Sequence, residues 1–334
     1  MSRTFLTATT GINGRLVALA RAAALLAPLV LAAPPALAQD AFKIAIGQLE
    51  IWSGQAPILG QKAGIFKKYG ITLENFGTAG AGETVQAVIS GSADFGVNVG
   101  TQGVLRAFAK GAPIRVIGAN FTGTGDIYFY VRADSPITSL RETSEKNTIS
   151  YSTGGSTTHT IVLGLGKELG IKAKPTSTGG MPATLTAVMS RQIDIGWGSP
   201  PFGLKEIEEG KIRVVASGND VPSLRSQTIR VEVVNDNVLK NRKDAVLRFV
   251  RAFRETLDWM YADPEAMRMY AEAIKVPLAI AKTSVEKYQP KEAKQFDRVL
   301  DIEGIMANAV ATKFLDAPLT KEQIAEFIQI PPRQ

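Results

Sequence analysis

The chain has 334 residues, 45% of them hydrophobic and 21% charged, with a formal net charge of +7, no cysteine and a single histidine. That is the balance of a globular protein with room for two domains of ordinary size. It excludes disulfide staples, thiolate metal sites, a lipid-bearing cysteine and any metal site built from several histidines, and the charge is too mild to argue for nucleic acid as a partner.

The first 38 residues carry Arg3, Arg15 and Arg21, no acidic residue, and the apolar run AAALLAPLVLAAPPALA. The run is shorter than the roughly 20 residues a bilayer span needs and ends in small residues, so it reads as a secretory signal peptide cut after Ala38. Its removal takes away three arginines and leaves a net charge of about +4. A chain exported in this way, with no anchor, is expected in the periplasm.

Next, FKIAIG from Phe42 reads as a short strand, and residues 61–69 have helical spacing ended by Gly70. ITLENF, DFGVNV, IRVIGA, IYFYVR, TISYS, DIGWG and IRVVAS follow as strand candidates separated by helical segments. Alternating strands and helices predict an α/β fold with largely parallel sheets. The stretch 64–96 also repeats as 164–196, with 12 identities in 33 ungapped positions, among them Thr78/Thr178, Thr84/Thr184, Ser90/Ser190 and Asp94/Asp194. A single copy at an offset of about one hundred predicts two domains of similar construction, not a solenoid.

From Asn241 the character turns helical, with Val246, Val250, Phe253, Leu257 and Met260 on one face, Asp263 and Pro264 opening a second helix, and Thr320 with Gln323 forming a capping box. The economical path builds one lobe, crosses at FTGTGD (121–126) to build the other, returns at PSLRSQT (222–228), and lays the helical tail on the first. The expected partition is residues 1–38 as signal peptide, 39–125 with 226–334 as lobe one, and 126–225 as lobe two.

In parallel α/β sheets ligands bind beyond the strand exits, where helix N-termini present free N–H groups. Asp94 and Asp194 sit at strand entrances and are expected to hydrogen-bond backbone there, not to act as an acid/base pair. The strongest site signal is STGGSTTHT from Ser152, where Gly155, Ser156, Thr157 and Thr158 open an amphipathic helix. Hydroxyls and N–H groups at its positive end suit an oxyanion, while Ser156 serves equally as a plain helix cap. His159 lacks a G-x-S-x-G elbow and is expected to brace the pocket. Trp52 and Trp197 follow strand ends and could cover a ligand or pack in the core. No arginine clamp stands out, and the absence of complete nucleotide motifs leaves no cofactor to expect.

The blocks GQKAGIFKKYGITLENF, VISGSADFGV, FAKGAPIRVIG, GSTTH and VMSRQIDIGWGSPPF, taken in order, resemble the periplasmic substrate-binding proteins of ABC importers for nitrate, sulfonates, taurine and thiamine precursors. The resemblance runs from Phe42 to Met260. It implies a two-lobed type II periplasmic binding-protein fold, each lobe a mainly parallel sheet flanked by helices, with a helical C-terminal tail. It implies a monomeric, non-enzymatic receptor that closes on a small anion and delivers it to ABC permease subunits. Residue by residue it places Gly155, Ser156, Thr157, His159, Trp197 and Ser199 on one side of the cleft and Asn98 and Thr101 opposite; Trp52, Gln55 and Thr122 follow from topology. Three other readings stand beside this one: a receptor for a thiamine-type pyrimidine or another aromatic compound, an exported hydrolase using Ser156 and His159, and a ligand-bound accessory of a membrane sensor. The related pyrimidine-synthesising enzymes carry a cysteine-rich motif that this chain lacks.

Overall fold

The computed structural model describes residues 39–333. The expected signal peptide and its cut after Ala38 lie outside the described residues. The fold is α/β, with sheet cores flanked by helices.

Among the described residues ten strands follow one another: β1 (Asp40–Ile46), β2 (Ile71–Gly77), β3 (Phe95–Gly100), β4 (Ile114–Thr122), β5 (Tyr128–Arg132), β6 (Thr148–Tyr151), β7 (Lys174–Ser177), β8 (Gly196–Gly198), β9 (Ile212–Ser217) and β10 (Thr228–Asn235). One sheet has the order β2-β1-β3-β10-β4. Its strands β1, β2 and β3 are parallel, while β10 runs antiparallel to both neighbours, β3 and β4. In the other strand group β5 lies antiparallel between β8 and β9, and β6 pairs with β7 in parallel. A parallel bridge between Ile149 and Ile195 joins the two pieces. The two layouts correspond strand for strand, each with one reversed strand beside the last.

That reversed strand is where the sequence reading falls short. β10 was not among the expected strands, and neither was β7. β7 contains Pro175 and is mostly exposed, as an edge strand can be. β10 carries Arg230 and Glu232, whose charges read as surface; both are buried, and every residue of β10 is buried. The chain leaves the first sheet after Thr122, enters β5 at Tyr128, and returns from the second group to begin β10 at Thr228. The two crossings touch, since Gly123 N–H donates to the Gln227 carbonyl at 2.9 Å.

The aspartates at the strand entrances bond backbone as expected, but on the neighbouring strand. Asp94 Oδ2 accepts the Lys43 N–H at 2.7 Å and Asp194 Oδ2 accepts the Thr148 N–H at 2.8 Å.

The long helix Lys243–Ala262 buries Val246, Val250, Phe253, Leu257 and Met260 against the first sheet's core. Phe249 stacks on Phe95 with ring centroids 4.0 Å apart, and Phe42 meets Phe95 edge-on at 4.9 Å. Each such ring contributes about 1.5–3 kcal/mol by leaving water. Asp263 accepts the Glu265 N–H to cap the helix Pro264–Ala273, and the Thr320/Gln323 capping box is present. Near the chain end, Gln329 N–H donates to the Val116 carbonyl at 2.7 Å and ties the tail to β4.

Candidate functional site

Because β10 is reversed, its beginning lies at the exit end of β3, with Arg230 opposite Gly100. This brings a buried cation to the end of the sheet where ligands bind. There a small cavity of about 30 Å³ separates the two strand groups. Asn98 of β3 and Arg230 of β10 line it from the first sheet. Ser156, Thr157 and Thr158 at the start of the helix Thr157–Leu169, Trp197 of β8 and Ser199 line it from the other side.

The polar wall includes donors that have no partner. Trp197 Nε1, Ser199 Oγ and Arg230 Nε are all buried without a hydrogen-bond partner. Leaving such groups unpaired costs about 1–3 kcal/mol each, and all three belong to residues that line the cavity. The hydroxyls at the helix start are partly engaged: Ser156 Oγ accepts the His159 N–H at 3.1 Å and lies 2.9 Å from Thr158 Oγ1, which accepts the Ser152 N–H at 2.9 Å. The first-turn N–H groups have no acceptor within the helix and point toward its open end.

Arg230 is held from behind. Its guanidinium donates to Asp126 Oδ1 at 2.7 Å and its Cζ lies over the Phe121 ring at 4.5 Å. Asn98 has φ of +61°, a conformation disfavoured for any residue with a side chain. Its N–H donates to Glu232 Oε2 at 2.9 Å, and its Oδ1 accepts the Ser53 hydroxyl at 3.2 Å. Glu232 is paired with Lys294 at 3.6 Å, both fully buried. Burial pushes the Glu232 carboxyl above the usual carboxylate range and pulls the Lys294 ammonium down to about 8, each opposed by attraction to the other.

A larger groove of about 270 Å³ opens beside this cavity, lined by Gly103, Arg106, Lys110, Gly154, Gly155 and Phe314 among others. None of its lining side chains carries a buried polar atom lacking a partner. The smaller cavity is therefore the better candidate despite its size.

The family model described as NMT1/THI5 like matches residues 55–267. The chain belongs to the NMT1/THI5-like family. Solved structures share its fold at low identity. The alkanesulfonate-binding protein SsuA from Xanthomonas axonopodis pv. citri, bound to MOPS, is 15% identical with a TM-score of 0.72, over 87% of this chain and 98% of that one. The periplasmic aliphatic sulphonate binding protein SsuA from Escherichia coli is 17% identical with a TM-score of 0.66, over 88% and 93%. The periplasmic nitrate-binding protein NrtA from Synechocystis PCC 6803 is 13% identical with a TM-score of 0.64, over 86% and 84%. No curated protein sequence matches the chain. Among the described residues, no helix is long and apolar enough to cross a membrane.

In this NMT1/THI5-like chain, five of the eleven expected site residues line the cavity: Asn98, Ser156, Thr157, Trp197 and Ser199. Six do not. Trp52 is core, edge-on to Tyr270 at 5.0 Å and Tyr261 at 5.7 Å, because the turn after β1 directs the ring toward the tail helices. Gln55 is buried at the start of the helix Ala56–Lys62 and donates to the Leu49 carbonyl. Thr101 is spent on the Thr228 carbonyl at 2.7 Å. Thr122 ends β4, away from the lining. Gly155 lines the larger groove instead. His159 stacks on Tyr151 at 4.2 Å, and its Nδ1 accepts the Gly155 N–H at 3.2 Å, which puts the ring proton on Nε2. Burial, assisted by the Arg106 charge, holds His159 below the usual histidine range.

The residue that sequence reasoning missed is Arg230. No arginine clamp stands out in the sequence; in the structure Arg230 lines the cavity, paired with Asp126. The available signal was the alternation of TIRVEVVN, which puts Arg230 and Glu232 on one face of a strand.

Proposed function

We propose that the chain is a periplasmic solute receptor that closes two lobes, 39–125 with 226–334 and 126–225, on a small anion and hands it to the permease of an ABC importer. The observation that carries this reading is the set of three buried, unpartnered donors, Trp197 Nε1, Ser199 Oγ and Arg230 Nε, on residues that line one cavity from both sides. An oxyanion head such as a sulfonate, carboxylate or nitrate supplies acceptors to all three. Ligand binding then shifts the population of open and closed forms by its differential affinity. The signal-like leader, with its expected cut after Ala38, supports export, and the periplasmic fold neighbours support the compartment. The protein acts as a monomer, without a cofactor.

Donor chemistry favours the anion over a thiamine-type pyrimidine, since unpartnered donors on Trp197, Ser199 and Arg230 call for several acceptors on one compact group. A receptor role is favoured over a hydrolase, since the Ser156 hydroxyl bonds the His159 backbone N–H and the imidazole Nδ1 is taken by Gly155. Isothermal titration against ethanesulfonate, nitrate, acetate and 4-amino-5-hydroxymethyl-2-methylpyrimidine tests the assignment. Binding of at least one anion in preference to the pyrimidine is expected; binding of the pyrimidine alone, or of none, rejects it.

A further inference from the structure

Behind the cavity, one stretch of the tail reaches both buried carboxylates. Gln289 Nε2 donates to Asp126 Oδ2 at 2.7 Å, while the other oxygen of Asp126 holds the Arg230 guanidinium. Five residues later, Lys294 Nζ lies 3.6 Å from Glu232 Oε1 and donates to the Ser53 carbonyl at 2.9 Å. Glu232 and Ser53 are the two groups that hold Asn98. Each cavity-lining group from the first sheet thus has a buried acid or hydroxyl behind it, and behind that a side chain from the same short segment.

The segment is itself fixed. Tyr261 Oη donates to the Gln289 carbonyl at 2.9 Å, Ala119 N–H to the Phe296 carbonyl at 2.8 Å, and Leu300 N–H to Thr228 Oγ1 at 2.7 Å. It therefore registers against β4 and β10 where the chain crosses between strand groups.

Two physical requirements give this arrangement a consequence. A guanidinium directs its free Nε edge only if the carboxylate gripping its other edge is fixed, and Gln289 supplies the second grip on Asp126. Positive φ is disfavoured even for asparagine, so the Asn98 conformation leans on the Glu232 and Ser53 contacts that hold it, and a buried Glu232 carboxylate keeps its charge and its place only while that charge is compensated. We propose that Gln289 and Lys294, neither of which lines the cavity, are positioning residues for the ligand: Gln289 through Asp126 and Arg230, Lys294 through Glu232 and Asn98. The inference rests on the reading of the cavity as a ligand site.

The test uses ¹⁵N-labelled protein and three variants: Gln289→Leu, Lys294→Met, and Lys294→Met combined with Glu232→Gln. The Arg230 Nε–H and Asn98 amide resonances are followed without ligand, and ethanesulfonate affinity is measured by titration. Gln289→Leu is expected to move the Arg230 resonance, leave the Asn98 amide in place and weaken ethanesulfonate about ten-fold, the size of one lost charge-assisted hydrogen bond. Lys294→Met is expected to move the Asn98 amide and weaken binding similarly. Adding Glu232→Gln removes the stranded charge, keeps an acceptor for the Asn98 N–H, and is expected to recover fold and most of the affinity even if Lys294→Met alone unfolds. Unmoved resonances in both single variants, or moved resonances with unchanged affinity, overturn the proposal; so does a lower melting temperature with neither readout altered. If wild-type protein binds none of ethanesulfonate, nitrate and acetate, the ligand reading fails and the affinity half falls with it, while the two resonances still decide the positioning half.

Discussion

Thr84 and Thr184 occupy the same place in two separate helices. Thr84 Oγ1 lies 2.7 Å from Thr78 Oγ1, and Thr184 Oγ1 lies 2.6 Å from Thr178 Oγ1. Each also donates to the carbonyl four residues back, Gly80 at 3.3 Å and Gly180 at 3.0 Å. The identities one hundred positions apart are thus a repeated strand-to-helix connection, closed by the same pair of hydroxyls.

Equal roles imply equal costs. Thr84→Val and Thr184→Val each keep the shape and remove a buried hydroxyl, and each is expected to destabilise by about 1–2 kcal/mol. Urea denaturation monitored by circular dichroism checks this; a marked difference between the two would show that the repeat is one of sequence only.

Arg230 joins stability to binding, and a paired substitution separates them. Arg230→Met strands the Asp126 carboxylate in the interior and is expected to cost about 3–5 kcal/mol. Combining it with Asp126→Asn is expected to recover most of that loss but not the affinity for an anion. Thermal melts alongside calorimetric titration with ethanesulfonate distinguish the two effects.

Gly103 separates helix preference from closure. A Cβ there would lie 2.4 Å from the Gly155 carbonyl oxygen, and one on Gly155 would lie 2.9 Å from the Gly103 Cα. Intrinsic helix propensity favours Gly103→Ala by about 1 kcal/mol. The steric seam predicts the opposite for function: affinity at least about ten-fold weaker, with the chain held more open. Small-angle scattering at saturating ligand, compared with wild type, reads the change in dimensions.

His159 supplies a pH dependence of defined sign. Its folded value lies below the unperturbed 6.5, chiefly through burial, so as the pH falls below about 6.5 the unfolded chain takes up the proton first and stability declines. The decline ends once the pH passes below the folded value. Melting curves between pH 4 and 7.5 are expected to show this slope in wild type and a shallower one in His159→Gln.

What could be read from sequence was local: strand runs, glycine-ended helices, capping boxes and the hydroxyl-rich start at Ser156 all depend on near neighbours in the chain. What could not was set by distant partners. Arg230 and Glu232 look like solvent-facing charges until Asp126 and Lys294, 104 and 62 positions away, are placed beside them. Trp52 and Trp197 look alike as rings after strands, yet one meets Tyr261 and Tyr270 and the other a cavity.

The insertion of β10 between β3 and β4 also constrains the order of assembly. During synthesis the edges of β3 and β4 become available more than a hundred residues before the strand that must separate them has been made. Until residue 235 emerges those edges stay unsatisfied, or pair with each other wrongly, so the first half of this chain cannot mature ahead of the second.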